Sequence, residues 1–219
     1  MKPVASEPMS SSYTSATSAT ATGDLDPARA YIFMWLAWAI AATSFAVLGG
    51  YSHLPPQIVP VTILGPFAIF CVLLASRPAV RRAVDGLPLR WLVAYHIIRA
   101  PIGLEFLRVH AEGGLPAAFA WTAGIGDIIA GGLAVVALSW VGKPAPWARR
   151  ALLAWNTIAL FDILLVIVTA QRLILIEGDQ TMFATMSQAP YSLIPVLVVP
   201  MVLMTHVVIY RQLRAKPGQ

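Results

Sequence analysis

Six long apolar runs constrain this chain more than anything else in it; they lie near residues 30–50, 57–75, 90–109, 117–140, 150–170 and 191–210. An α-helix rises about 1.5 Å per residue, so each run is long enough to cross a hydrocarbon core of about 30 Å. Inside lipid every backbone N–H and C=O must be satisfied within the segment or by a closed barrel. The runs lack the alternation of barrel strands, which leaves helices. Only 11% of the 219 residues are charged, against 58% hydrophobic. Soluble domains carry about 25% charge. The expected fold is therefore an all-α integral membrane protein: six transmembrane helices in a compact bundle.

The basic residues supply the orientation. Arg77, Arg81, Arg82 and Arg90 follow the second run, Lys143, Arg149 and Arg150 follow the fourth, and Arg211, Arg214 and Lys216 follow the sixth. The first connection, Tyr51 to Gln57, has no Lys or Arg. The third has Arg108, and the fifth has Arg172 beside Glu177 and Asp179. This alternation predicts six crossings with both termini in the cytoplasm. Tyr31, Trp91, Trp140, Trp147 and Tyr210 fall near the expected inner boundary, and Tyr51, Trp121 and Tyr191 near the outer one, the depths that amphipathic rings favour. The net charge of +5 is thus a topology signal and gives no nucleic-acid surface. The expected partner is the lipid bilayer.

Residues 1–28 are rich in Ser, Thr and Ala and read as a flexible cytoplasmic tail, too polar to offset its ordering entropy. It lacks the basic-then-apolar layout of a cleaved signal peptide. The membrane domain is expected over 29–211 and a basic cytoplasmic tail over 212–219. Cys71 is the only cysteine, so no internal disulfide or CxxC-type metal motif can form. Leu173 to Ile176, in the long fifth connection, are placed on the outer membrane surface.

Ionisable groups are confined to the last four runs, Cys71 apart: His96, Arg99 and Glu105 in the third, Asp127 in the fourth, Asp162 with Asn156 in the fifth, and His206 in the sixth. A charge at mid-membrane costs about 2.5–3.5 kcal/mol on insertion scales and needs a partner. Counted from the cytoplasmic boundary, Arg99 lies roughly nine residues in, Asp162 about twelve and Asp127 about thirteen, which puts the three within one to two turns in depth. His96, Asn156 and His206 lie shallower. These six residues form the candidate ligand- or proton-binding site, a column from the inner face to the midplane. Asp127 shares a face with the small residues Ala120, Gly124 and Gly131, which lets a neighbouring helix approach. Glu105 lies near Arg108 at the outer boundary and snorkels. Pro101 is placed to disturb the third helix one turn earlier, and Pro190, Pro195 and Pro200 to bend or open the sixth.

Each feature has a structural alternative. Arg99 between two aspartates also reads as an ion cluster that fixes helix positions. His206, near a helix end, reads as a residue that meets interfacial water. Gly124-Ile125-Gly126-Asp127 follows no strand, so nucleotide binding is discounted. No HxxH or ExxH spacing supports a metal, and Arg99 repels cations. No cofactor is identified. Bis-histidine haem ligation by His96 with His206 fits their depth but has no motif. There is no Ser-His-Asp order or nucleophile elbow, which ranks an enzyme below binding or transport.

The stretch Gly114 to Ala120 continuing to Ala123-Gly124-Ile125-Gly126-Asp127, together with Trp155-Asn156 through Asp162 and the Pro-rich last span with His206, resembles small bacterial multi-pass membrane proteins of unassigned function. The resemblance covers about residues 30–215. It implies about six helices and a bacterial inner membrane, and it brings no activity. Three functional expectations follow. The first is a buried polar site that binds or passes a proton or a small solute, an anion among the candidates, with Arg99 as the fixed positive charge. The second is a non-catalytic subunit or scaffold of a larger membrane complex, joined through the Ala120/Gly124/Gly131 face. The third is a membrane-embedded redox or metal/haem enzyme.

Overall fold

The computed structural model describes residues 27–215, and every regular element among them is helical. Nine α-helices follow in order: α1 (Pro27–Val47), α2 (Val59–Ser76), α3 (Pro78–Asp85), α4 (Leu89–Tyr95), α5 (Arg99–Ala111), α6 (Ala117–Leu138), α7 (Pro146–Gln171), α8 (Gln180–Met186) and α9 (Val199–Arg214). The tail expected over 1–28 lies outside the described residues except for its last two, which open α1. The basic tail expected from 212 begins inside α9, and 216–219 lie outside the description.

Among the described residues, four helices are long and apolar enough to cross a membrane: Pro56–Ser76, Ala117–Leu138, Pro146–Ile176 and Ile194–Arg214. That is the mark of a membrane protein. The surface agrees, because Phe33, Ile40, Val72 and Phe161 are each more than half exposed, and soluble proteins rarely show apolar surface on that scale. The first run falls short in its described apolar stretch, Tyr31–Val47. The third is interrupted: a 3-10 turn, His96–Ile98, separates α4 from α5. Pro101 lies in the first turn of α5 and has no N–H for the carbonyl one turn back, so the break falls where the proline weakens the ladder. The sixth run opens as expected near its prolines. Ile194–Val198 form a π-helical turn before α9 begins, the wide-turn defect common at functional positions. Leu173 to Ile176 do not lie flat on a surface. They extend α7 as a π-turn, with Leu173 and Ile174 buried.

Side-chain ties define the two ends. At one end Arg211 forks onto Asp85 (2.6 and 2.7 Å), Gln212 donates to the carbonyls of Val84 (3.0 Å) and Leu87 (2.9 Å), and Arg149 donates to the carbonyl of Leu213. The three basic segments thus meet at a single basic end. At the opposite end Tyr191 donates to Glu105 (2.6 Å), Ser192 to the carbonyl of Ala46 (3.2 Å), and Thr185 to that of Gly114 (2.6 Å). Arg108 joins Glu105 and Glu112 there at the exposed surface. Two apolar clusters fill the interior. One, with Phe106, Phe119, Ile163 and Leu203, lies toward this opposite end; the other, with Val93, Ala134, Trp155 and Ile209, lies toward the basic end.

Candidate functional site

Between the two apolar clusters lies a layer of buried polar side chains. Arg99, the first residue of α5, is 2% exposed. Its Nε donates to Asp127 Oδ1 of α6 at 2.6 Å, its Nη1 to the carbonyl of Ala159 on α7 at 2.9 Å, and its Nη2 to Asp162 Oδ2. All three guanidinium nitrogens are therefore engaged. Burying an ion pair is favourable only with such complete hydrogen bonding. Asp127 is buried, and the Asp162 side chain is 17% exposed.

Glycines make this approach possible. A Cβ on Gly103 would collide with the carbonyl of Gly124 and the Cβ of Asp127, and one on Gly126 would occupy the position of the Asp162 carboxylate. A Cβ on Gly131 would collide with Ala100. The Gly124-Ile125-Gly126-Asp127 stretch is thus a packing device that lets α5 and the Asp162 carboxylate close on α6. The small-residue face is filled from within the chain by α5 at Gly124 and Gly131, and Ala120 is buried.

A second polar group lies toward the basic end. Asn156 Nδ2 donates to the carbonyl of His206 at 3.2 Å, and Asn156 Oδ1 meets His206 Nδ1 at 2.8 Å. The amide oxygen only accepts, so the His206 proton is on Nδ1. Thr205 donates its single hydroxyl proton to the carbonyl of Val202 (2.9 Å) and so accepts from His96 Nε2 (3.1 Å). Each neutral ring is left with one basic nitrogen, His96 Nδ1 and His206 Nε2, that is buried without a hydrogen-bond partner. The ring centroids are 4.3 Å apart and Trp155 packs edge-on against His96. Two rings in contact leave no space for a porphyrin between them. His206 is fully buried, unlike the water-facing residue its place near a helix end suggests. Among the described residues no group of three or more His, Cys, Asp or Glu could hold a metal ion.

The six residues singled out in the sequence fall into these two groups: Arg99 with Asp127 and Asp162, and His96 with Asn156 and His206. One cavity lies on the other side of the arginine from the histidines; a second, of about 290 Å³, lies between α1 and α9 and is lined by Trp35 and Thr205. The first measures about 60 Å³ and is bounded by Arg99 and Asp127 at one end, by Phe106, Ile163, Val166 and Val199 along its walls, and by Met182 and Met186 of α8. Pro195 and Val198 of the π-turn also line it. Near α8 it reaches Tyr51 and Gln171. Both amide atoms of Gln171 are buried without partners, and the buried Tyr51 hydroxyl has the Thr62 side chain as its polar neighbour. Tyr51, expected near the outer boundary, is 0% exposed and so faces the protein interior. Gln171 is not among the residues that the sequence singles out. The signal for it was present, because the buried face of α7 runs through Ala159, Ile163 and Ile167 and continues to Ile174.

A family model described as a domain of unknown function, DUF8737, matches residues 56–214. No curated protein and no solved structure matches the chain. The matched span holds all six polar site residues and Gln171, but not α1 or Tyr51.

Proposed function

The chain belongs to the DUF8737 family, and we propose that it is a small multi-pass membrane protein whose buried Arg99–Asp127–Asp162 cluster binds or passes a proton or a small solute. The observation that carries this reading is the cluster's position at the floor of a cavity and one 3-10 turn from a histidine pair with two free basic nitrogens. A purely structural ion cluster needs neither. The charge count argues against the anionic solute. Arg99 is already matched by two carboxylates, so the cluster with both ionised carries one excess negative charge.

The proposed topology has six spans with both termini in the cytoplasm of a bacterial inner membrane: α1, α2, α4 with α5, α6, α7 and α9. The meeting of the three basic segments at one end supports it. Labelling single cysteines, with Cys71 replaced by Ala, tests this. Cysteines at Gly86 and Gly142 should react only from the cytoplasmic side, and those at Ser52 and Gly113 only from the outer side.

Against the scaffold reading stands the packing of α5 on Gly124 and Gly131 of the face that reading names. Against the haem reading stands the 4.3 Å between the His96 and His206 ring centroids. The functional test is proteoliposome flux: protein reconstituted over a trapped pH dye, with a potential imposed by potassium and valinomycin. Wild-type protein should pass protons or a small solute, and Asp127→Asn should not. Flux equal to protein-free vesicles, with no thermal stabilisation by any small cation, anion or neutral solute, overturns the reading.

A further inference from the structure

The cavity also indicates the class of solute, an inference that rests on the binding-site reading above. Among the described residues Arg99 is the only buried Lys or Arg. Its partners are two carboxylates, which with both ionised set two negative charges against its one. A ligand anion would bring a third negative charge into a low-dielectric site, where like charges repel strongly. A monovalent cation supplies the missing positive charge.

The size and lining narrow the choice. One water needs about 10–15 Å³ of such space, so about 60 Å³ holds a molecule of only a few heavy atoms. The walls are almost wholly apolar. A hard metal cation needs a shell of about six oxygens, and this lining cannot supply one. A primary ammonium needs only a few acceptors, and its methyl group packs on the walls. Phe106 and Phe119, an edge-to-face pair with centroids 5.1 Å apart, both line the cavity, and aromatic faces attract cations.

The polar groups that line the cavity fit the same donor. At the α8 end the Tyr51 oxygen and Gln171 Oε1 can accept, and at the floor Asp127 can. Gln171 lies nine residues beyond Asp162 on α7, about 13 Å along the axis. The acceptors therefore form two stations separated by an apolar stretch. Beyond the floor, His96 Nδ1 and His206 Nε2 are acceptors as well. We propose that this cavity is a binding site for a small primary ammonium ion of the methylammonium class, received by Tyr51 and Gln171 and bound at Asp127.

The test uses the full chain in mild detergent at one fixed pH, with the thermal midpoint read by tryptophan fluorescence. Methylammonium chloride should raise the midpoint saturably beyond equal sodium chloride, while tetramethylammonium, too large and without N–H groups, should not. Sodium acetate should match sodium chloride. Asp127→Asn should weaken the apparent affinity at least tenfold. Tyr51→Phe removes one acceptor and keeps the ring, and should weaken it about fivefold; it serves if the first variant does not fold. Saturable stabilisation by acetate or by a neutral alcohol, lost in Asp127→Asn, overturns the ammonium assignment and leaves the binding site standing. Stabilisation by methylammonium that survives both variants places the ion elsewhere and also overturns it. No stabilisation by any probe, with vesicle-level proton flux, overturns both.

Discussion

Charge counting in the Arg99 cluster makes a prediction that ordinary ion-pair reasoning does not. Arg99→Met keeps most of the stem volume and removes the only cation. It leaves two carboxylates with no cation between them, and removing one partner of a buried pair costs about 3–5 kcal/mol. Asp162→Asn is different. The Arg99–Asp127 pair survives at 2.6 Å, the new amide oxygen still accepts from Nη2, and the excess negative charge is gone. The lost charge assistance and the relieved repulsion oppose each other, so the net cost should be about 1 kcal/mol or less. The triple variant Arg99→Met/Asp127→Asn/Asp162→Asn should recover most of the loss, because replacing a whole buried charge set is often near neutral. The assay is equilibrium unfolding in mixed detergent micelles, followed by tryptophan fluorescence. A difference of about 3 kcal/mol is more than a hundredfold in the folded ratio. If Asp162→Asn proves as damaging as Arg99→Met, or Arg99→Met is indistinguishable from wild type, the charge-excess argument is wrong.

Three further outcomes follow from the packing. Gly126→Ala should destabilise by about 1–3 kcal/mol, because its Cβ takes the Asp162 carboxylate's place; Gly132→Ala, which meets nothing within 4 Å, should gain up to about 1 kcal/mol, and the same unfolding assay reads both. Asn156→Ala removes both ties to His206 and should cost about 1–3 kcal/mol for a buried donor and acceptor left unpaired; a loss within error would mean that the pair contributes nothing. Asp179→Ala removes the side-chain cap on the Met182 amide at 2.8 Å, worth about 0.5–2 kcal/mol, and should speed limited proteolysis between Glu177 and Ser187 without moving the global midpoint.

The helices and the pairing partners of Arg99 were legible because each follows from a strong, local constraint. A buried guanidinium must find acids at its own depth, and only Asp127 and Asp162 qualified. The breaks at His96–Ile98 and Ile194–Val198 were signalled by Pro101, Pro195 and Pro200. What the sequence concealed was mostly a matter of direction. Tyr51 looks like an interfacial aromatic by composition, and only the placement of α1 against the bundle turns it inward. Ala120, Gly124 and Gly131 indicate a close helix contact but not whose helix, and the partner proved to be α5. The length of α7 was underestimated because Arg172 and Glu177 resemble a loop; they pair at 3.1 Å beside a π-turn that carries the helix on.

The arrangement of irregular backbone gives the site a direction. Non-helical or widened turns are tolerated at membrane depth only where they are packed on protein or line a cavity. The π-turn of Ile194–Val198 lines the cavity through Pro195 and Val198, while the 3-10 turn of His96–Ile98 brings His96 against His206. Arg99 begins immediately after that turn, and α9 begins immediately after the π-turn. The cluster therefore sits between two apolar clusters and beside two local defects, one facing the cavity and the other the histidines. A rigid ion cluster that served only to lock helices would gain more from unbroken helices on both sides. Backbone that can change its turn at both faces of a charge layer suits a group that passes from the cavity side, through Asp127, to the free nitrogens of the histidine pair.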